Sequence, residues 1–287
     1  MMEECVALDI GGTFVKYGCF DQQGKMSAPG LFPIRETGTK EEIVNAFTAF
    51  LRAHPARRVA VSMPGPMDYD AGASLMTHKF AALYGFSLKR AFEEALPGAD
   101  VRFLHDGAAF LLGEMTDGNA RGLDNAAGVM LGTGLGFVRC QGGRVLLRAS
   151  TMTPVGPLWN APFGEGTAED YVSGRGIRRR YRALCGQERD VKEIAELARA
   201  GDPTARQLFA ETGAMLGQML REHLRQTPVE RVVIGGQISK SLDLLLPELR
   251  AAYPGPVMQA AHPDDAALRG AYAYSLQGAR LFAILNE

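Results

Sequence analysis

Two glycine turns in this chain hold the residue types from which phosphate sites are built. The first is Asp9-Ile10-Gly11-Gly12-Thr13, between the apolar run Val6 to Leu8 and the strand-like run Phe14 to Phe20. The second, Leu131-Gly132-Thr133-Gly134-Leu135-Gly136, lies between Ala126 to Met130 and Phe137 to Cys140. A tight Gly-Thr turn between strands presents backbone N–H groups and one hydroxyl with no side chain in the way, which is how proteins hold phosphate oxygens. One such turn in each half of the chain predicts a nucleotide gripped between two lobes. Gly235-Gly236, after the run Val232 to Ile234, would let a flat base approach the backbone before a helix starts at Ile238. On its own that pair reads equally as a glycine-rich helix start.

Two aspartates accompany these turns. Asp9 ends a strand beside Gly11-Gly12-Thr13 and suits Mg²⁺ held through water, since that ion keeps several of its waters. The alternative is an aspartate that accepts from a turn amide; the presence of a second glycine turn favours the metal. Lys16 either approaches a phosphate or lies on the solvent face of its strand. Asp106 sits at a strand-to-helix junction, where functional groups of α/β folds concentrate. As a general base it would take the proton of a substrate hydroxyl that attacks a terminal phosphate, an effect of about 10²–10⁴-fold. As a helix N-cap it would do no chemistry, and geometry alone leaves both readings open. The basic run Arg178-Arg179-Arg180-Tyr181-Arg182 reads as a nucleic-acid contact or a solvated helix face, and the balanced charge of the chain favours the latter.

The elements that must position these residues follow from periodicity. Cys5 to Asp21 reads as a hairpin around the first turn and Leu31 to Arg35 as a third strand. Lys40 to Ala53 has helical spacing of Ile43, Phe47, Phe50 and Leu51. Arg58 to Met63 is a strand stopped by Pro64-Gly65-Pro66, Ser87 to Leu96 a helix with Ser87 as N-cap, and Val101 to Leu104 a buried strand. Gly107 to Met115 continues as a helix of small residues. The β pattern restarts around the second turn. Helices are expected over Asp170 to Leu184, Val191 to Ala200, Pro203 to Gln226 and Asp264 to Phe282, with strands at Arg231 to Ile234 and Pro256 to Gln259. This is an α/β arrangement repeated once. It predicts an N-terminal lobe over 1–115, a C-terminal lobe over 116–265, and a final helix, 266–287, that packs back on the first lobe.

Composition excludes several classes. The 287 residues suffice for two domains that share a cleft. With 46% hydrophobic and 22% charged residues and a net charge of −1, no global field draws the chain to nucleic acid or to an anionic membrane. No apolar run is long enough to span a bilayer. The acidic start Met1-Met2-Glu3-Glu4 leads into a strand and does not read as a signal peptide. Cys5, Cys19, Cys140 and Cys185 are scattered singly, without metal or redox spacing, and a reducing cytoplasm is the expected compartment.

The ordered set of motifs resembles the ROK (repressor, open reading frame, kinase) family of sugar kinases and sugar-responsive regulators. Asp9 to Thr13 is similar to its first phosphate motif, Leu131 to Gly136 to its second, and Ile234-Gly235-Gly236-Gln237-Ile238-Ser239 to its adenosine motif. His105-Asp106-Gly107-Ala108-Ala109 with Gly113-Glu114 resembles the segment that bears the catalytic aspartate. Glu169-Asp170-Tyr171-Val172-Ser173-Gly174 resembles the stretch whose glutamate touches the sugar. The resemblance implies a two-lobed actin/hexokinase-like fold (duplicated ribonuclease H-like domains) with an interlobe cleft. It implies ATP-dependent phosphorylation of a hexose or modified hexose, with Asp106 as base and Asp9 as the Mg²⁺ residue. ATP-Mg would lie on Asp9, Gly11, Gly12, Thr13, Lys16, Gly132, Thr133, Gly134, Gly235 and Gly236; the sugar would lie near Gly65, Lys79, His105 and Glu169. A homodimer is compatible with relatives that are often dimers.

The departures from the family pattern bear on the substrate. Pro154 to Ala168, which in zinc-binding relatives carries a cysteine knuckle, has neither cysteine nor histidine, so no structural zinc is expected. The family's sugar-contacting Glu-x-Gly-His is replaced by Pro154-Val155-Gly156-Pro157, its asparagine before the catalytic aspartate by His105, and a second asparagine by Lys79. The phosphate half is kept and the sugar half rewritten, and Lys79 with His105 points to a modified or acidic sugar. Two competing readings share the fold. A non-catalytic sugar-sensing regulator would explain the eroded sugar motif, although the first strand leaves no room for a preceding DNA-binding segment. An ATP-hydrolysing activator would use water as acceptor, and the Glu169 to Gly174 match disfavours it.

Overall fold

A computed structural model describes residues 3–286. In chain order the elements are β1 (Glu3–Ile10), β2 (Phe14–Phe20), β3 (Met26–Pro33), α1 (Lys40–Ala53), β4 (Ala56–Met63), the short strands β5 (Met67–Asp68) and β6 (Ala73–Ser74), α2 (Leu88–Ala95), β7 (Asp100–His105) and α3 (Asp106–Asp117). There follow β8 (Ala126–Leu131), β9 (Leu135–Gln141), β10 (Arg144–Arg148), the short β11 (Pro162–Phe163) and β12 (Gly166–Thr167), α4 (Ala168–Val172), α5 (Gly174–Cys185), α6 (Val191–Ala200) and α7 (Pro203–His223). The chain closes with β13 (Arg231–Gly235), α8 (Leu242–Ala252), β14 (Val257–Gln259), α9 (Ala266–Gln277) and β15 (Phe282–Leu285). It divides into two compact units. The first comprises Met1–Asp117, Arg144–Val155 and Asp265–Glu287; the second comprises Gly118–Gly143 and Gly156–Asp264. Arg144–Val155, read from sequence as part of the second lobe, thus clusters with the first.

In the first unit a five-stranded sheet runs β3-β2-β1-β4-β7. β1, β4 and β7 are parallel, and β2 returns antiparallel to β1. Val6, Leu8, Val59, Val61, Val101 and Phe103 bury one face with Ile43, Phe47 and Leu51 of α1. That helix starts where Thr39 and Glu42 form a capping box, two orphan donors satisfied reciprocally. Ser87 caps α2 as expected, its hydroxyl accepting from the Arg90 N–H at 3.3 Å.

α9 packs along α3 with almost no separation. A Cβ on Gly113 would overlap the Ala266 carbonyl oxygen, and one on Gly270 would overlap that of Ala109. Only hydrogen fits at these positions. Arg269 locks the crossing through Asp117 at 2.8 Å, and Tyr272 stacks on Phe20 with ring centroids 4.3 Å apart.

In the second unit β14, β13 and β8 are parallel neighbours and β9 is antiparallel to β8. This repeats the β7-β4-β1-β2 order of the first unit, with the second glycine turn standing where the first does. A core of Val129, Phe209, Leu216, Leu220, Val232, Ile234, Leu245 and Leu249 lies between the sheet and its helices. Here too the helices cross on glycine: Gly213 and Gly217 of α7 meet the Leu245 and Leu249 carbonyls of α8.

Three further expectations need correction. The third strand begins at Met26, not Leu31, because an Asp21 turn returns the chain early: its Oδ1 accepts from the N–H groups of Gln23 and Lys25, both at 2.9 Å. Pro29 and Gly30, which read as loop, are tolerated because β3 is an edge strand. The helix expected over Asp170 to Leu184 is two helices. Ser173 takes an extended conformation (φ −76°, ψ 167°) and caps α5 through the Gly176 N–H. The closing helix stops at Gln277. Gly278 turns at φ 61°, and Phe282–Leu285 becomes a strand parallel to β10.

The crossing yields the first prediction. Gly113→Ala and Gly270→Ala each insert a methyl against backbone, and overpacking of this kind costs about 1–3 kcal/mol. Urea denaturation should show that loss for each single variant. The double variant should lose less than the sum, because one methyl already separates the helices that the second would separate.

Candidate functional site

The parallel register of β1, β4 and β7 decides which side chains meet in the first unit. Asp9 lies opposite Ser62 of β4 and opposite Lys16 of β2; Met63 lies opposite His105 of β7. The carboxyl ends of three strands therefore deliver Asp9, Ser62 and His105-Asp106 to one sheet edge, where ligands of open α/β sheets bind. Ser62, fully buried, donates to Asp9 Oδ1 at 2.8 Å. Gly107 N–H donates to Asp106 Oδ1 at 2.7 Å, and His105 Nδ1 stands 3.0 Å from the same oxygen.

The two carboxylates differ in environment. Burial alone would raise the Asp106 pKa. The charge and hydrogen bond of His105, the Gly107 N–H and the charge of Lys79 outweigh it and hold the carboxyl below the usual aspartate range. Asp9 goes the other way. Its burial outweighs the Ser62 hydrogen bond and the Lys16 charge, and the Asp106 charge adds to the rise. Asp106 also helps burial push the Tyr69 hydroxyl well above its ordinary value.

The first glycine turn is braced from outside. Gly11 N–H donates to the Phe14 carbonyl at 3.1 Å, Ile34 N–H to that of Thr13 at 3.0 Å and Glu36 N–H to that of Gly12 at 3.3 Å. These bonds use the carbonyls of Gly12 and Thr13, not their N–H groups. The Glu36 carboxylate lies on Gly12 so closely that a Cβ there would overlap it. Its Oε2 is buried and has no hydrogen-bond partner among the described residues. Gly65 is surrounded by Tyr69, Thr153 and His105, the Tyr69 hydroxyl being 3.0 Å from where its Cβ would be.

In the second unit the remaining candidates also converge. Gly132 N–H donates to the Gly134 carbonyl at 3.0 Å, and the Gly132 carbonyl accepts from Gly174 N–H at 2.8 Å. Glu169 Oε2 accepts from Leu135 N–H at 2.9 Å, and its Oε1 pairs with Arg175. Gly236, at φ 81°, packs on the Leu131 carbonyl with no room for a Cβ. Thr133 is exposed at the tip. Ser239 follows the third glycine motif and closes it by donating to the Gly236 carbonyl at 2.7 Å.

Within each unit, then, the residues singled out from sequence lie together. Asp9, Gly11, Gly12, Thr13, Lys16, Gly65, His105 and Asp106 occupy the first, with exposed Lys79 acting on Asp106 through its charge. Gly132, Thr133, Gly134, Glu169, Gly235 and Gly236 occupy the second. Sequence reasoning missed Ser62, Glu36, Tyr69 and Thr153. Ser62 enters through strand register, as the β4 position level with Asp9; the other three reach the site through loops that carry no motif.

The sequence profile of the ROK family matches residues 5–284. The chain belongs to the ROK family. This ROK protein is 26% identical to an N-acetyl-D-glucosamine kinase of Aliivibrio salmonicida over 92% of its length and 96% of the relative. It is 27% identical to an N-acetylgalactosamine kinase of Shewanella sp. over 86% of each chain. Its fold matches a ROK hexokinase from Thermus thermophilus with a TM-score of 0.74 at 25% identity, covering 96% of this chain and 99% of that one. The architecture of this ROK protein is thus the α/β fold of the actin/hexokinase-like class. A ROK transcriptional regulator matches with a TM-score of 0.82 at 19% identity, over 95% of this chain and 78% of that one. The fold alone therefore does not separate catalysis from regulation.

The opposed carboxyl environments predict opposed stability effects. A raised folded pKa contributes stability that is complete below the unfolded value and lost as pH rises through the folded one. At pH 7 Asp9 therefore weakens the fold, and Asp9→Asn should raise Tm, the gap closing as pH falls below about 4. Asp106 has a lowered pKa, so its contribution is present above the unfolded value and lost as pH falls through the folded one. Asp106→Asn should lower Tm at pH 7. Thermal unfolding of both variants across pH checks the two signs.

Proposed function

We propose that this ROK protein is an ATP-dependent sugar kinase that phosphorylates a hydroxyl of a hexose or modified hexose, with Asp106 as general base. The observation that carries the reading is the split pair of carboxylates at one sheet edge. Environments that push two titratable groups apart mark their roles. Asp106, held ionised by His105, Gly107 N–H and Lys79, is ready to accept a proton at neutral pH. Asp9, whose charge is opposed by burial and by Asp106, is the carboxylate that a cation would relieve.

The residues fit a metal-bound polyphosphate. Asp9 would hold Mg²⁺ through water, and the unpartnered Glu36 Oε2 beside Gly12 is an acceptor that a metal-bound water would satisfy. With Asp9 so engaged, the ion supplies neutralisation of the transferring phosphate oxygens. Gly11, Gly12, Thr13 and Lys16 in one unit, and Gly132, Thr133, Gly134, Gly235 and Gly236 in the other, are the nucleotide contacts. The N–H groups of Gly12, Thr13, Thr133 and Gly134 offer fixed dipoles to charge that spreads over the oxygens of a loose transition state. Asp106 orients the acceptor hydroxyl and takes its proton as that oxygen bonds to the γ-phosphorus and the bond from that phosphorus to the bridging oxygen breaks, with ADP leaving. A weak base suffices, because the proton becomes acidic only late in such a transfer.

Gly65, Lys79, His105 and Glu169 are the acceptor contacts. Two curated relatives are named as kinases of N-acetylated hexosamines. In this chain Lys79 and His105 put a cation and an imidazole beside the base, which suits a modified or acidic sugar better than a plain one.

A coupled ADP-release assay with glucose, N-acetylglucosamine, N-acetylgalactosamine and glucuronic acid tests the reading. Sugar-stimulated turnover is expected, with a fall of about 10²–10⁴-fold in Asp106→Asn. ADP release that ignores sugar would replace the kinase by an ATPase, and sugar binding without turnover would replace it by a regulator. For Lys79→Ala the expected change is a KM rise of about tenfold or more for an acidic acceptor, the scale of one lost charged contact. If every accepted sugar keeps its KM, Lys79 is no substrate contact.

A further inference from the structure

A half-buried arginine in the second unit lacks a counter-charge. Arg139 lies on β9, and among the described residues no ion pair and no hydrogen bond closes on its guanidinium. A guanidinium stays charged and presents a rigid fork of donors that matches carboxylate and phosphate geometry. Withdrawing such a charge from water without a partner is unfavourable. The group lines an open cavity of about 330 Å³ together with Gly156, Glu222, His223, Arg225 and Thr227. Small-molecule sites begin at about this size.

The charges around the cavity leave an excess. Glu222 already faces Arg225, at 3.8 Å. The His223 pKa is lowered by burial and by the Arg139 charge, against the hydrogen bond to the Gly156 carbonyl, so its ring is neutral at pH 7. That bond, 2.9 Å from Nε2, and an edge-on contact with Phe137 fix the ring. Within the first cavity Arg139 is therefore the charge without a counter-ion. An adjoining cavity of about 430 Å³ shares Glu222 and His223 and is also lined by Leu158, Phe163, Met219 and Arg221. Apolar side chains thus lie next to the charged cavity, with Arg221 among their neighbours.

We propose that this paired cavity is a second, non-catalytic binding site for a small organic anion, a phosphate ester or a carboxylate. Its charged group forks onto Arg139 and its body lies against Leu158, Phe163 and Met219. None of the candidate nucleotide or sugar residues lines it. Gly156 links it to the chain segment that leads to Glu169, whose N–H donates to the Trp159 carbonyl at 3.1 Å.

The test is a titration of the intact protein with phenyl phosphate, benzoate and inorganic phosphate at fixed ionic strength, against chloride. The readout is the imidazole NMR signals of the five histidines, His223 being assigned with His223→Gln. Saturable movement of the His223 signals is expected, tighter for phenyl phosphate or benzoate than for inorganic phosphate. The stronger of the two aromatic anions tells phosphate ester from carboxylate. Arg139→Gln should weaken the binding at least tenfold while Tm in chloride does not fall. Movement confined to His105 would place the anion at the catalytic edge and overturn the proposal. So would equal binding by Arg139→Gln, or the absence of saturable movement at His223 with all three anions.

Discussion

Asp106 opposes the ionisation of Asp9, and most of the first unit can be understood as the means of holding these two carboxylates at one edge nonetheless. Neither position is free to drift. Asp9 is fixed by the β1–β4 register and the Ser62 hydroxyl, Asp106 by the end of β7 and the first turn of α3. The environments then divide the pair. One carboxyl has an imidazole, a backbone donor and a lysine near it; the other has mainly a buried hydroxyl. A cation at Asp9 would relieve that opposition, which is the part proposed above for a metal-bound polyphosphate.

Precision at that edge depends on backbone-to-backbone packing further back. α3 carries Asp106 and is clamped by α9 through Gly113 and Gly270, positions where even a methyl is excluded. The second unit repeats the device with Gly213 and Gly217 beneath α8. Close crossings leave little slack, so the helix ends they support hold their orientation. The glycine turns use the same property for the opposite end. At Gly12 and Gly134 the missing side chain lets a carboxylate, Glu36 or Glu169, lie directly on the loop and brace it.

Much of this was legible in the residues themselves. Strong periodicity placed α1, α6 and the two hairpins, and Ser87 and the glycine turns announced their own geometry. The misreadings have local causes. Ser173 sits inside a helix-like stretch but satisfies the backbone better as a cap, so one helix became two. Phe282-Ala283-Ile284-Leu285 continues the apolar pattern of α9, and only its pairing with β10 makes it a strand. Ser62, Glu36, Tyr69 and Thr153 reach the site through register and loop closure, which one chain's spacing does not encode. The balance of charge around Asp9 and Asp106 was invisible for the same reason, since it depends on neighbours far away in sequence.

The first unit is made of three stretches of chain, and the last of them supplies α9 and β15. During synthesis β1, β4 and α3 therefore emerge without the helix that covers them, and the whole of the second unit is translated before that helix appears. Cys5 and Phe20, which meet Ser275 and Tyr272 of α9, and the small-residue face of α3 must stay sheltered in the interval, by transient contacts or by chaperones. The second unit has its own core complete once β14 has emerged, so it is placed to fold ahead of the unit that began the chain. The unit that begins the chain is thus the one that waits longest for its closing helix.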